Sequence, residues 1–384
     1  MKFSCFLIFI FSFFYLEKGT AYPEFIGYGY SSCMTCHNNG LGGGPLSDYG
    51  RGVWAAEITS RALFKNSTPE ELAAHSGFFG SWPAPAWFRP TIKYRGLWLQ
   101  TQPKSSQTQE KYYHMQVDLN LTSAFTENEK ILLSYTSGYT PTPTMAGTQN
   151  LNRFLAREYY LRLTIAEKLW LYLGLMDKAF GIRHVDHTSY TRTLTGNTQK
   201  DQTEGATLHK STDDYEWAIS LFAGQPYLTK EQKDKGLSLW SEKTLGEKSR
   251  LGLSLLATTN DSTERQAVAL HSRWGITTGS SLMAEYGVVQ NKVKATATSQ
   301  TGGYGFLESM VLLQRGYFLK TNFQVSNSEY KPDSPNNWRV SVGAVTFPLP
   351  RIEARTDLVH NRVISTKDGS PDTWSLQGQI HAVW

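Results

Sequence analysis

The chain is poor in cysteine, in long apolar runs and in blocks of like charge, and each shortage narrows the class of protein it can be. Only three of its 384 residues are cysteine, which excludes a fold held together by several disulfides. Beyond the N-terminal segment no run approaches about 18 consecutive apolar residues, so no membrane-spanning helix is expected. The formal net charge is +5 without any Lys/Arg block, so no nucleic-acid partner is expected.

The N-terminal segment, residues 1–21, is predicted to be a signal peptide. A basic residue at position 2 precedes a Phe-rich apolar stretch over residues 3–16, and small residues precede a cleavage point before Tyr22. The apolar stretch is too short to span a bilayer. Cleavage would remove Cys5 with the leader and leave two cysteines in the mature protein.

Those two cysteines belong to the stretch SSCMTCH at residues 31–37, which has the C-x-x-C-H spacing that attaches a c-type haem. Cys33 and Cys36, one turn apart, can each bond a vinyl group of one porphyrin. The adjacent imidazole of His37 can then bind the iron as the proximal axial ligand. We therefore expect one covalent haem c, and a redox role with it.

Two other interpretations of the cysteine pair stay open. A redox-active disulfide needs only the two thiols, although the βαβ context of thioredoxin-like motifs is not apparent. A zinc site would need two more Cys or His residues at paired spacing, and no second pair follows in the sequence. No nucleophile elbow, phosphate loop or pair of catalytic carboxylates is apparent, so no catalytic residue is predicted.

Residues 22–85 are predicted to form a small α-helical monohaem cytochrome c module. Ser47 is a candidate N-cap for a helix that ends near Leu63. The TPEE stretch at residues 68–71 has the pattern of a capping box with proline at the first helical position. It predicts a second helix that stops at Gly77.

The sixth position of the iron needs a histidine or methionine in a low-spin electron-transfer haem. His75 is the candidate distal ligand within the module, although the helix dipole alone also favours a histidine at a helix end. His114 and Met176 are further candidates, because strand parity places them on the lumen face of the predicted barrel. An open sixth position is a fourth interpretation, and it would permit ligand chemistry at the iron.

From Trp87 onward, segments of about ten residues alternate apolar and polar side chains between Gly, Asn, Asp and Pro clusters. In residues 114–122, for example, the apolar side chains Val117 and Leu119 alternate with the polar Gln116 and Asp118. This period of two predicts that residues 86–384 form a transmembrane antiparallel β-barrel of about 16 strands. The final predicted strand ends with the aromatic residue Trp384, which resembles the C-terminal signal of bacterial outer-membrane barrels.

A soluble β domain would also alternate, so that alternative is kept. Two features favour the membrane. Faces with fixed charges lie opposite almost purely aliphatic faces, and tyrosines and tryptophans recur near segment ends, where interfacial girdles would need them. The predicted location is the outer membrane of a Gram-negative bacterium, with the periplasm as the alternative, and membrane lipid as a partner.

The stretch at residues 176–187 is dense in histidine and aspartate. We interpret it as a polar strand end and loop with ordinary surface charges. A transition-metal site and a charged lumen contact with the haem module are the two alternatives. Residues 194–214 and 327–337 are predicted to be long exposed loops.

The order of signal peptide, Cys33-x-x-Cys36-His37 motif and barrel-sized β region resembles that of the fused outer-membrane cytochrome–porins. The motif is specific for haem rather than for this family, and the barrel likeness is one of pattern. The resemblance implies iron oxidation and electron uptake across the outer membrane, with extracellular Fe(II) oxidation as the implied activity. It also implies an extracellular redox partner or metal ion and periplasmic electron carriers as partners.

The predicted function is therefore single-electron transfer across the outer membrane through a haem-plugged barrel. One alternative is a solute porin in which the haem module acts as a gate or sensor. The other alternative is a soluble periplasmic cytochrome with a β-rich binding domain. Because the hydrocarbon layer is about 30 Å thick, a single haem could connect the two sides only from inside the lumen.

Overall fold

The computed structural model describes residues 23–30, 32–41, 44–74, 84–103, 107–126, 128–139, 155–184, 186, 188–198, 201–331, 334–364 and 372–384. The predicted signal peptide and His75 lie outside these ranges. The described residues form sixteen antiparallel strands that close into one barrel. Each strand pairs with its neighbours in chain order, and β1 pairs with β16.

The strands have the following bounds: β1 Arg89–Pro103, β2 Gln109–Ala124, β3 Ile131–Tyr139, β4 Leu155–Ala166, β5 Leu169–Met176, β6 Thr203–Ser211, β7 Tyr215–Phe222, β8 Lys235–Leu245, β9 Ser249–Thr259, β10 Thr263–Thr277, β11 Ser280–Val293, β12 Thr298–Gln314, β13 Tyr317–Asn327, β14 Asn336–Leu349, β15 Ile352–Ile364 and β16 Asp372–Val383. The predicted strand number is confirmed. The helices are short: α1 Pro23–Ile26, α2 Cys33–Cys36, α3 Asp48–Val53, α4 Pro69–Ala74 and α5 Tyr190–Thr195, with a π-helical turn Trp54–Ile58 after α3.

The alternation read from the sequence becomes the two faces of the barrel wall. Arg351, directly before β15, is 1% exposed. Within β15, Glu353 is 4% exposed, whereas the outward-pointing Leu358 is 43% exposed. On β2, Asp118 and Asn120 are buried while Leu119 is exposed. Polar groups therefore line the interior and aliphatic side chains cover the outside, as a barrel in lipid requires.

The two rims of the barrel differ in the length of their connections. At one rim, two-residue turns join β4 to β5, β10 to β11 and β12 to β13, and Gly279 and Gly316 take up the positive φ that such tight turns need. At the other rim, longer connections include residues 177–202 between β5 and β6. Short periplasmic turns and longer extracellular loops are typical of outer-membrane barrels.

Exposed aromatic side chains lie close to both rims, as the sequence predicts. Tyr215 and Tyr317 begin β7 and β13 at the short-turn rim. Trp338 and Trp374 lie at the start of β14 and β16 at the opposite rim. Tyrosine and tryptophan at these levels anchor a barrel in the two membrane interfaces.

The described residues of the segment 23–74 are called the plug below. Those up to Ser60 lie inside the barrel, and residues 61–74 are largely exposed apart from Leu72. Polar groups of the plug bond to opposite parts of the wall. Asn39 donates to Glu158 on β4 (2.7 Å), the amide of Ser60 donates to the carbonyl of Phe347 on β14 (2.8 Å), and Asp48 pairs with Arg89 on β1 (2.7 Å). The plug is therefore fixed to the wall by contacts around its circumference.

The predicted helix starts are confirmed, but one helix is shorter than predicted. The Ser47 hydroxyl accepts from the amide of Gly50 (3.1 Å), and the capping box of α4 forms between Thr68 and Glu71. The first helix ends at Ile58 rather than near residue 63. Helices α1 and α5 pack on the barrel wall, whereas α2, α3, the π-helical turn and α4 pack against one another. No separate cytochrome-like domain is apparent among the described residues. The predicted domain boundary at residue 85 stays a prediction.

The connection between β5 and β6 also folds into the lumen, which corrects two predictions. Phe180 packs in a buried cluster with Phe222 and Leu256, and α5 reaches β11, β12 and β13 on the far wall. The interpretation of residues 176–187 as surface charge is therefore wrong, because the described residues of this stretch are largely buried. Residues 194–214 are not one exposed loop, since they contain β6.

Together, the closed barrel, its aliphatic belt and its aromatic rims confirm the predicted location in an outer membrane. They leave no place for the soluble periplasmic alternative. Among the described residues, none of the helices has the length and apolar character that a bilayer crossing demands.

A charge placed on the lipid face should destabilise the barrel according to its depth. Leu307 lies near the middle of β12 and Leu313 near its short-turn end, and both are exposed on the outside. We expect Leu307→Arg to lower the free energy of unfolding by about 2–4 kcal/mol and Leu313→Arg by about 0–1 kcal/mol. Urea titration of heat-modifiable gel mobility in lipid vesicles measures both values. Equal losses would contradict the assigned depth.

Candidate functional site

The C-x-x-C-H motif lies within the lumen, on the single helical turn α2. Ser32 caps this turn by accepting from the amide of Met34 (3.3 Å), and its hydroxyl lies 2.8 Å from the hydroxyl of Ser211 on β6. The amide of His37 donates to the carbonyl of Cys33 (2.9 Å), which ends the turn. The motif is therefore held at a fixed place against the wall.

His37 is almost fully buried, with 9% of its surface exposed. Its Nδ1 lies 2.7 Å from the carbonyl oxygen of Gly44. A carbonyl only accepts, so Nδ1 is the donor and Nε2 of the neutral ring presents a lone pair. Burial lowers the pKa of His37 to about 4, which keeps the ring neutral at physiological pH. A neutral imidazole with Nδ1 bonded to a backbone carbonyl is the usual form of a metal-ligating histidine.

Cys36 and His37 line a cavity with about 1490 Å³ of empty space, part of it open to solvent. Part of the lining is apolar, from the plug residues Phe25, Leu46 and Trp54 and from Val383 at the end of β16. Charged side chains of the wall complete it, among them Lys93, Arg95, Arg157 and Glu158. The cavity extends from Val383 near the short-turn rim to Asp177 and Gln202 at the loop-bearing ends of β5 and β6.

Cys33 faces a second, smaller space of about 520 Å³, bounded in part by Trp240, Glu242 and Arg273. Arg183 lines both spaces and so stands at their boundary. The two cysteines are free thiols. Burial raises the pKa of Cys36 to about 12 and also raises that of Cys33, so both thiols are protonated at neutral pH.

The donor set of the larger cavity fits a haem c. A thiol and a neutral imidazole open onto it, and cationic side chains are at hand for the two propionates. Cys33 lines the smaller space rather than the larger one, and Arg183 is common to the two linings. No cluster of three or more His, Cys, Asp or Glu side chains suited to a metal ion occurs among the described residues.

The structure separates the candidates for the distal ligand. His75 lies outside the described residues. His114 does not face the lumen, because Met115 forms a bulge in β2 opposite the Arg95–Gly96 step of β1 and reverses the parity of the residues before it. Its ring is exposed and bonds to the hydroxyl of Tyr94 (2.9 Å). Met176 is buried in the lumen as predicted, in a cluster with Tyr172 and Leu132.

Two histidines that the sequence analysis did not name as haem ligands line the same cavity as His37. One is His184 in the inward connection, and the other is His381 near the end of β16. His184 falls in the stretch dense in histidine and aspartate, for which a metal site and a contact with the haem module were the alternatives. His381 carried no such signal, because its inward direction depends on the parity of the last strand.

A buried acid–base cluster on β6 to β10 lies beside the space that Cys33 lines, and the sequence analysis missed it. Glu216 accepts from Arg250 (2.5 Å) and His209 (3.0 Å), and Glu242 pairs with Arg273 and lies 3.3 Å from His271. The members are each 9% exposed or less. Buried charges require such pairing, so the cluster gives the wall behind the motif a fixed arrangement of charges.

No protein-family model matches the chain, and no curated protein sequence matches it significantly. Solved structures match its fold. In-vitro folded OmpT, an outer membrane protein of Vibrio cholerae, superposes with a TM-score of 0.60 at 8% identity, covering 79% of this chain and 99% of OmpT. An anion-selective porin from Comamonas acidovorans gives 0.56 at 8% identity, covering 77% and 99%. Salmonella typhi OmpF in complex with daunomycin gives 0.58 at 13% identity, covering 77% and 97%.

The fold and the comparisons together define a class. The chain is a 16-stranded, porin-like β-barrel of the outer membrane whose lumen holds an N-terminal plug. At these identities the likeness to the solved porins concerns the fold alone.

Removing the main apolar anchor of the plug should open the lumen. Trp54 is 7% exposed and packs edge-on against Phe347 at 5.9 Å between ring centroids. Loss of such a side chain costs about 3–5 kcal/mol, so we expect Trp54→Ala to raise the conductance in planar bilayers. The control is Tyr49→Ala, which removes an exposed ring from α3, the helix directly before Trp54. Equal conductance in Trp54→Ala and wild type would show that Trp54 does not hold the plug.

Proposed function

We propose that this protein is a c-type cytochrome of the outer membrane that passes single electrons between an extracellular donor or acceptor and periplasmic carriers. The observation that carries the proposal is the position of the C-x-x-C-H motif inside the lumen, with Cys36 and the buried His37 lining a cavity that also offers cationic side chains. An iron porphyrin bound there supplies reversible one-electron chemistry. The resemblance to the fused cytochrome–porins supports the same proposal.

In this proposal the residues of the motif have separate roles. Cys33 and Cys36 form the covalent tether, and His37 binds the iron through Nε2 while Gly44 holds the ring by its Nδ1 proton. Lys93 and Arg95 on β1 offer positive charge to the propionates. The barrel excludes lipid from the site, and its charged wall influences the reduction potential.

The extent of the cavity supports transfer between the two sides. It reaches from the short-turn rim to the loop-bearing ends of β5 and β6. A donor entering from the loop-bearing rim and a carrier at the other rim could therefore both approach one site within the lumen. Extracellular Fe(II) is a proposed donor by analogy with the family alone.

The second candidate is a solute porin in which the plug acts as a gate or sensor. The comparisons favour it over electron transfer, since the solved structures of this fold described above include porins. The two candidates differ in what the plug does. In a conduit it blocks solutes permanently, and in a gated porin it moves aside.

Covalent haem should depend on both cysteines. We expect the wild type, expressed with a cytochrome c maturation system, to carry one haem that survives denaturation, and Cys33→Ser/Cys36→Ser to carry none. Peroxidase staining of denaturing gels and the pyridine haemochrome spectrum measure this, with heat-modifiable mobility as the folding control. A colourless wild type would overturn the cytochrome proposal.

The bilayer conductance and the redox response of the haem distinguish an electron conduit from a solute porin. We expect small conductance in planar bilayers. We also expect rapid one-electron reduction of the ferric haem, with oxidation of Fe(II) to Fe(III), when Fe(II) is mixed with intact cells in a stopped-flow spectrometer. The double cysteine variant is the matched control for the absorbance change. Large, solute-selective conductance together with a haem that does not respond to extracellular redox agents would favour the porin.

A further inference from the structure

We propose that His381 on the last barrel strand is the distal axial ligand of the haem, so that the iron is held by the plug on one side and by the wall on the other. This inference rests on the proposed haem function and goes beyond it by assigning the sixth ligand. The site is then complete only when the plug is seated in the closed barrel. His75, the distal candidate predicted from the sequence, lies outside the described residues.

The position and bonding of His381 carry the inference. It lines the same cavity as Cys36 and His37, and its side chain is 15% exposed. Among the described residues no group forms a hydrogen bond with its buried Nε2. A buried ring nitrogen without a partner is rare in folded proteins, because the lost hydration is not recovered. Coordination of a metal through that nitrogen would satisfy it.

The other ring nitrogen of His381 is oriented as in a metal-bound histidine. Nδ1 faces Oε2 of Glu353 on the neighbouring strand at 3.7 Å. A carboxylate beside Nδ1 favours the tautomer with the proton on that nitrogen, which leaves the lone pair on Nε2. Glu353 is itself held by a bond from Arg355. The strand register thus fixes the ring from behind.

His184, the other histidine at this cavity, is a weaker candidate because its Nε2 is engaged. It lies 2.9 Å from the hydroxyl of Thr191 and 3.1 Å from that of Ser189. The ring also stacks on Phe306 with centroids 4.5 Å apart. Coordination of the iron by His184 would require these contacts to break. Coordination by His381 would not, because its Nε2 forms no hydrogen bond with the described residues.

The remaining described candidates are turned elsewhere. His209 and His271 belong to the acid–base cluster, with Nε2 bonded to Glu216 and Ser254 respectively. Met34, between the two cysteines, accepts a contact from the hydroxyl of Tyr172 (3.1 Å). None of these three side chains lines the cavity beside His37.

The test compares electron paramagnetic resonance and optical spectra of the purified full-length holoprotein. We expect a low-spin signal from two histidine ligands in wild type, and its loss to a high-spin signal in His381→Ala. Added imidazole should restore the low-spin form of His381→Ala. His381→Met should give a His/Met spectrum and a higher reduction potential. Imidazole rescue would not follow from a merely structural role.

Two matched controls accompany these variants. His184→Ala removes the competing histidine, and His360→Ala removes a histidine of β15 that does not line this cavity. Both should keep the wild-type low-spin spectrum. Heat-modifiable mobility shows whether each barrel has folded, and the wild-type near-infrared dichroism reports His/His or His/Met ligation without any variant.

Three outcomes would overturn the assignment. These are a low-spin spectrum retained by His381→Ala, a loss of that spectrum in His184→Ala instead, or a wild-type iron that is five-coordinate or methionine-bound. They remain distinct from failure of the proposed function, which shows as a wild type without covalent haem.

Discussion

A sheet that crosses a membrane must find all of its backbone hydrogen bonds within itself, because the hydrocarbon core offers none. Here that requirement is met by closure, with β1 paired to β16 from Lys93 opposite Val383 to Pro103 opposite Thr373. Closure then dictates the sorting of side chains. Aliphatic groups face the lipid, and polar and charged groups share an enclosed lumen in which they must bond to one another or to the plug.

The plug and the inward connection between β5 and β6 meet that demand together. Ser32, Asn39 and Asp48 bond to wall residues on different strands, and Glu216 and Glu242 each hold arginine and histidine partners. Trp54 adds an apolar anchor against β14. A porin-like barrel is thereby filled with a largely buried interior, and the C-x-x-C-H motif is part of it.

Much of the architecture could be predicted from local sequence. The period of two along segments such as residues 114–122 predicted the two faces of the strands, and the caps at Ser47 and Thr68 predicted the helix starts. Strand alternation and helix capping could be predicted because they depend on residues that are close in sequence. The predictions failed where distant contacts decide. A one-residue bulge opposite Arg95 turned His114 to the outside, and burial against the far wall drew residues 177–202 inward although their composition resembles a surface loop.

The sequence by itself determined the membrane class of this protein and predicted its covalent haem site. The spacing of Cys33, Cys36 and His37 is set by adjacency in the chain, and an alternating pattern needs no knowledge of its partners. Only the tertiary structure decided which groups share the lumen. His381 lies hundreds of residues from His37, and closure of the barrel brings both to one cavity, because the register of β16 between β15 and β1 fixes where the last strand points its side chains.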